Sequence, residues 1–211
     1  MHNYNLKLKN IVSFPTRSGI QSGSPMLKRF TFNSRMTRKN INSMKVITRI
    51  APSPTGKFHI GTARTALVNY IFAKQNNGQF LLRMEDTDKE RNKIEFEDDI
   101  KNGLNWLGLN WDGEIVYQSK RVKRYQEIVE VLVKSNCVYE KDGAVWFKVP
   151  DNKTIEFDDL VRGRVKFESS DLKDFVILRS DNSPIFYLTG VVDDYDSKIT
   201  HVIRGEEHLS N

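Results

Sequence analysis

One cysteine, Cys137, stands in 211 residues. That excludes an intrachain disulfide and any zinc site built from several cysteines. With Val133, Val138 and Tyr139 around it, the thiol reads as buried, and a reducing compartment is permitted. Long apolar runs are missing too: none approaches the roughly 20 residues of a membrane span, so no membrane partner is expected. Acid is absent from residues 1–43, which hold eight lysines and arginines and no Asp or Glu. The remaining 168 residues hold 25 basic and 27 acidic side chains, a net −2, so the formal charge of +6 belongs to this leader.

The leader is rich in Asn, Ser and Thr and lacks a sustained apolar period. It reads as a disordered extension or a targeting sequence. Three roles compete: an extension without function upstream of a start at Met44, a mitochondrial transit peptide, or a basic arm for RNA. From Met44 onward the chain has the texture of a folded protein, with 38% hydrophobic residues overall, 12 Phe, 7 Tyr and 3 Trp.

Strand and helix alternate after Met44, which argues for a parallel α/β sheet. Val46–Ile50 is a short apolar strand. Ile60, Ala63, Leu67, Tyr70 and Ile71 recur at helical spacing, and Asn77-Gly78 stops that helix. Phe80–Met84 reads as the next strand. Helices follow around Ile100, Leu104 and Leu107, and around Val122, Tyr125, Val129 and Leu132. Residues 136–182 change texture and read as a mostly β insertion, with strands at Ala144–Val149, Val165–Phe167 and Phe175–Arg179 and helix only near Phe157–Val161. Ile185–Val192 and Ile199–Arg204 then read as strands resuming the parallel sheet, and a helix is expected to open at Gly205-Glu206-Glu207.

The segment Arg49-Ile50-Ala51-Pro52-Ser53-Pro54-Thr55-Gly56-Lys57-Phe58-His59-Ile60-Gly61-Thr62 concentrates the chemistry. Two prolines and a glycine force a strand into a tight turn. The turn delivers His59 and Gly61 to a helix start, where unpaired N–H groups and partial positive charge favour a phosphate. An imidazole there can donate to phosphate oxygens as charge builds. Leu81-Leu82-Arg83-Met84-Glu85-Asp86-Thr87-Asp88 places acids at the C-terminal end of a strand, the edge that faces the ligand crevice in open α/β sheets. A carboxylate at that edge can hold an α-ammonium by a charge-assisted hydrogen bond.

The order strand, Pro-Ser-Pro-x-Gly turn, His-x-Gly and helix resembles the ATP-binding entry of class I aminoacyl-tRNA synthetases. The wording Arg-x-Ala-Pro-Ser-Pro-Thr-Gly, followed by Glu85-Asp86-Thr87-Asp88, resembles the glutamyl branch rather than the glutaminyl one. Gln118-Ser119-Lys120-Arg121, Phe157–Gly163 and Asp174–Asp181 extend the likeness over about residues 45–211. The resemblance implies a Rossmann-type parallel-sheet nucleotide-binding core with a mostly β insertion facing the tRNA acceptor stem, truncated at the C-terminus. Its parts are a basic extension (1–43), the first half of the core (44–135), the insertion (136–182) and an incomplete second half (183–211).

By the same resemblance, His59 and Thr62 are catalytic. Arg49, Ser53, Glu85 and Arg204 hold glutamate, with arginine suited to carboxylates by its planar fork. His59, Gly61, Thr62, Glu207 and His208 bind ATP. The implied substrates are ATP with Mg²⁺, glutamate and a glutamate-accepting tRNA, with no protein metal site and no zinc. A cytoplasmic monomer is implied, or a mitochondrial protein if residues 1–43 are a transit peptide.

Departures from the family wording bear on activity. Pro184-Ile185-Phe186 stands where Pro-Thr-Tyr is usual, Gly190 where a polar or branched residue is common, and Ser197-Lys198 where Met-Gly is usual. Lys198 thus falls at a turn that favours glycine. No Lys-Met-Ser-Lys-Ser follows Arg204 in this sequence, so slow or absent glutamate activation by this chain alone is expected. The competing functions are a paralogue glutamylating a modified tRNA base and a non-catalytic tRNA-binding remnant.

Overall fold

A computed structural model of the chain describes residues 10–14 (main chain only), 45–205 and 208. The first described element, strand β1 (Asn10–Phe14), lies inside the extension expected to be disordered. Strand β2 (Ile47–Ile50) then leads through the proline turn into helix α1 (Ile60–Gln75). Ala63, Ala66, Leu67 and Ala73 suit a helix interior. The helix ends where Asn77 takes a left-handed φ of 51° and Gly78 N–H returns to the Ala73 carbonyl. Strand β3 (Gln79–Met84), helix α2 (Ile94–Trp106) and the two-residue strand β4 (Val116–Tyr117) follow. A 3₁₀ turn over Gln118–Arg121 feeds helix α3 (Val122–Lys134).

Strands β2, β3 and β4 form a parallel sheet in that order. Its core joins Ile50, Phe80, Leu82 and Met84 of the sheet to Ala66 and Ala73 of α1 and Ile100 and Leu104 of α2. Burial of such side chains contributes on the order of 1.5–3 kcal/mol each. This is the α/β core expected from the alternating pattern.

The middle of the chain is β-rich: β5 (Val138–Lys141), β6 (Ala144–Phe147), β7 (Thr154–Asp159), β8 (Gly163–Glu168) and β9 (Phe175–Leu178). β5, β6 and β9 make an antiparallel sheet, and β7 pairs with β8 as a hairpin. The helix expected near Phe157–Val161 is therefore a strand and a turn. Ile155 and Phe157 alternate at period two, Phe157 stacks on Phe167 at 6.1 Å, and the Asp159 carboxylate caps the turn by accepting from Val161 and Arg162 N–H. Cys137 is half-buried rather than buried, with Sγ 3.5 Å from the Ser135 carbonyl.

A second correction concerns Ile185–Val192, expected as a strand. Residues Phe186–Asp196 form helix α4, which buries Leu188, Thr189, Val192, Asp193 and Asp194. Leu188 and Val192 pack with Tyr125 and Val129 of α3 and Ile177 and Leu178 of β9. An eight-residue apolar run fits strand or buried helix equally, and packing on both sides decided for helix. Lys198 ends this unit in the left-handed region, φ 56°, at the position where glycine was expected.

Strand β10 (His201–Gly205) closes the described core. It lies beside β2: Thr200 N–H donates to the Ile47 carbonyl at 2.9 Å, and Ile47 N–H to Thr200 Oγ1 at 2.8 Å. On its other side β1 runs parallel in register from Asn10↔His201 to Phe14↔Gly205, and Ile11 also pairs with Asp159 of β7. No helix among the described residues is long and apolar enough to cross a membrane.

Candidate functional site

The turn between β2 and α1 is tied down from two sides. Glu85 N–H donates to the Pro52 carbonyl at 2.9 Å, and Lys93 N–H to the Pro54 carbonyl at 3.1 Å. Phe58 N–H donates to the Asp99 carboxylate of α2 at 2.7 Å. The Phe58 ring lies against Gly103 so closely that a Cβ there would sit 2.3 Å from Phe58 Cδ1. Only glycine leaves that groove open.

His59 is the N-cap residue of α1, in extended backbone. Its Nδ1 accepts the Gly61 N–H at 3.1 Å, and its Nε2 lies 3.3 Å from Thr62 Oγ1. With Nδ1 accepting, Nε2 carries the proton and donates to Thr62. A Cβ on Gly61 would lie 2.9 Å from His59 Cε1, so glycine makes room for the ring. The structure thus brings His59, Gly61 and Thr62 together at an exposed helix start. The ring currently holds one of the N–H groups that an anion would use.

A second cluster, the wall that carries Arg49, is buried and ionic. Arg49 directs Nε and Nη2 to the two Asp194 oxygens at 3.0 and 3.1 Å. Arg83, from the middle of an apolar strand, reaches Asp194 at 2.5 Å and Glu85 at 3.1 Å, with Asp193 3.9 Å away. Asp193 is fully buried and accepts from Gln118, Arg121 and Tyr125. Asp196 pairs with Arg121 and Arg124.

Burial alone would raise the Asp194 carboxyl, but Arg49 and Arg83 outweigh it and hold the group below the usual carboxylate range. Burial would likewise lower Arg83, yet Asp194 and Glu85 keep its guanidinium above the ordinary value. The Tyr125 hydroxyl is pushed up by burial and by the Asp193 charge. Asp194 and Arg83 thus hold each other charged at neutral pH.

Arg49 and Glu85 are therefore brought together, through Asp194 and Arg83. Ser53 is exposed on the turn. Arg204 lies on β10 and donates from Nη2 to the His208 carbonyl at 2.7 Å. Glu207 lies outside the described residues. Sequence reasoning missed Arg83, Asp193 and Asp194. The signal was there: two acids after Val191-Val192 and an arginine within Phe80–Met84 are charges in apolar runs, which require partners. Among the described residues no group of three or more His, Cys, Asp or Glu could hold a metal ion.

A parallel sheet flanked by helices, with a histidine-capped helix start after its first strand and charged strand ends, defines an α/β core. The model of the family described as "tRNA synthetases class I (E and Q), catalytic domain" matches residues 45–144 and 139–211, and the chain belongs to this family. It is 43% identical over 203 residues to the glutamate–tRNA ligase of Lawsonia intracellularis, covering 79% of this chain and 44% of that protein. It is 46% identical over 168 residues to glutamate–tRNA ligase 2 of Neorickettsia sennetsu, covering 80% of this chain and 41% of that one. A solved structure, the glutamate tRNA ligase of Elizabethkingia meningosepticum in complex with its amino acid, superposes with a TM-score of 0.73 at 30% identity. It covers 79% of this chain and 45% of that one. The chain spans less than half the length of these relatives.

Proposed function

We propose that this chain carries the amino-acid-activating site of a glutamate–tRNA ligase. A glutamate carboxylate oxygen attacks the α-phosphorus of ATP, the bond to the β-phosphate oxygen breaks, and pyrophosphate departs with that electron pair. A hydroxyl at the 3′ end of a tRNA then attacks the acyl carbon of the glutamyl-adenylate and loses its proton, and AMP departs as the ester forms. The observation that carries this reading is the joining of Arg49 and Glu85 at the ends of β2 and β3 through Arg83 and Asp194. An α-amino acid needs one anion for its ammonium and cations for its carboxylates, and these side chains offer both.

In this reading Glu85, held by Arg83, takes the substrate ammonium. Arg49 presents the nitrogen that Asp194 leaves over, and Arg204 supplies the second cation from β10. Ser53 donates beside them. His59 swings off Gly61, freeing that N–H for phosphate, and its imidazole donates to the oxygens where charge develops. Thr62, released by the ring, turns its hydroxyl to the same phosphate, and His208 flanks the nucleotide with Glu207. Magnesium would arrive on the ATP phosphates, whose charge it offsets, since the described residues form no metal cage of their own.

Calorimetric titration with glutamate and with glutamine tests the reading. Preference for glutamate, lost in Arg204→Gln, with Glu85→Gln weakening both amino acids alike, supports it; equal binding of the two amino acids by the unaltered chain overturns it.

A further inference from the structure

We propose that Asn69 is a positioning residue: its carboxamide ties the strand bearing Arg204, and its main-chain carbonyl the strand bearing Arg49, to the helix that presents His59. Asn69 is fully buried on α1. Thr48 Oγ1 donates to the Asn69 carbonyl at 3.0 Å. Asn69 Nδ2 donates to the Ile203 carbonyl at 3.0 Å and to the Thr65 carbonyl at 2.9 Å. Thr65 in turn donates from Oγ1 to the Gly61 carbonyl at 3.1 Å, one turn from the His59 cap. The bonded path therefore runs from Gly61 through Thr65 and Asn69 to both strands.

The residues it grips are the immediate neighbours of two site residues. Thr48 precedes Arg49, and Ile203 precedes Arg204. Side chains alternate across a strand, so Thr48 and Ile203 held on the α1 side send Arg49 and Arg204 to the other face. Ile203 packs with Val46 and Phe72 on that α1 side, and Arg49 meets Asp194 of α4 opposite. The main-chain link between β10 and β2 lies at Thr200 and Ile47, three or more residues from Arg204. Asn69 supplies the tie nearest both arginines.

Retention of an amide here has a penalty. Asn69 Oδ1 is buried without a hydrogen-bond partner, which an aliphatic residue of similar size would avoid. The two N–H bonds to separate elements are what the amide provides in return. Only a side chain with two donors on one atom can bond Thr65 and Ile203 together.

The inference rests on the proposed function for its ligands, and its test has an arm that does not. The full chain and its Asn69→Asp variant, similar in size but without the N–H groups, are titrated well below their unfolding temperatures. The ligands are glutamate, a non-hydrolysable ATP analogue, and the sulfamoyl analogue of glutamyl-adenylate that spans both walls. The expected result is a loss of about tenfold or more for the spanning ligand and threefold or less for each part, because misplacement penalises linkage. Equal losses for all three, or none, overturn the proposal. Asn69→Leu serves if the aspartate variant does not fold.

Nuclear magnetic resonance reads the same point without ligand. The Asn69 side-chain protons should exchange slowly, and Asn69→Asp should shift the backbone amides of His59 and Arg204 together. Changes confined to residues 65–73 overturn the proposal. A wild-type chain that binds none of the three ligands overturns the proposed function instead, and the resonance shifts still decide the role of Asn69.

Discussion

The two walls of the site are built on opposite physical terms. Arg49, Arg83, Asp193 and Asp194 are each less than a tenth exposed, and Arg83, Asp193 and Asp194 each meet more than one charged partner. His59 is exposed, and its ring bonds only Gly61 and Thr62, both within three residues. Charges withdrawn from water must be paired and over-determined, or they would not stay charged. A helix end at the surface can exchange one hydrogen-bond partner for another at little net change, since water satisfies whatever is released. The buried wall therefore acts as a fixed anchor, and the helix start as an exchangeable cap.

The strongest way to break that contrast is Asp194→Ala. It strands two buried guanidinium groups and is expected to destabilise the chain by about 3–5 kcal/mol. Urea unfolding measures this, and a loss under about 1 kcal/mol would mean that the wall is not over-determined by charge.

Acid acts more gently, and on the α1 side of the sheet. His201, buried beside Phe72 at 4.8 Å, is pushed down to about 4 by burial, from an ordinary 6.5. The unfolded chain takes up that proton below pH 6.5 while the folded chain resists it. Stability is therefore intact above that pH and falls by about 2–3 kcal/mol on the way down to about pH 4. Asp194 has the depressed carboxylate's profile: its contribution persists above the ordinary 3.8 and is lost as pH falls through its lower folded value. The decline should thus begin with the histidine, and His201→Leu should flatten the curve between pH 6.5 and 4 in unfolding titrations.

Gly103→Val probes the cap's support rather than the cap. The new side chain meets the Phe58 ring, and overpacking of about 1–2 kcal/mol is expected. Faster exchange of the Phe58 amide, bonded to Asp99, would show the turn lifting from α2. His59→Ala should barely register in stability, under about 1 kcal/mol, because it removes one exposed cap. A larger thermal shift would place His59 with the anchor instead.

Much of this was legible in the residues. The turn from Arg49 to Thr62 announces itself through Pro, Gly and a helix period that begins at once, all local signals. The helix over Phe186–Asp196 was not legible. Ile185–Val192 is apolar but for Thr189, with the aromatic and β-branched residues of a strand, and only its position between α3 and β9 makes a helix the way to bury Leu188 and Val192. The hairpin over Thr154–Glu168 was misread for the converse reason. Its alternation is clear, but Asp158-Asp159-Leu160-Val161 imitates a helical turn until β8 arrives to pair with it.

By itself the sequence determined which chemistry sits at the strand ends: His59 and Gly61 at a helix start, Glu85 after β3, and arginines at the ends of β2 and β10. Local rules suffice there, because turns, caps and periodicity act over a few residues. Only the tertiary structure decided how those groups are held. Arg49 spends two nitrogens on Asp194, 145 residues away, and Asn69 joins three elements through bonds spanning 21 and 134 residues. Burial far from water makes such pairings obligatory, but their partners are set by which surfaces meet, and no short window of sequence contains that.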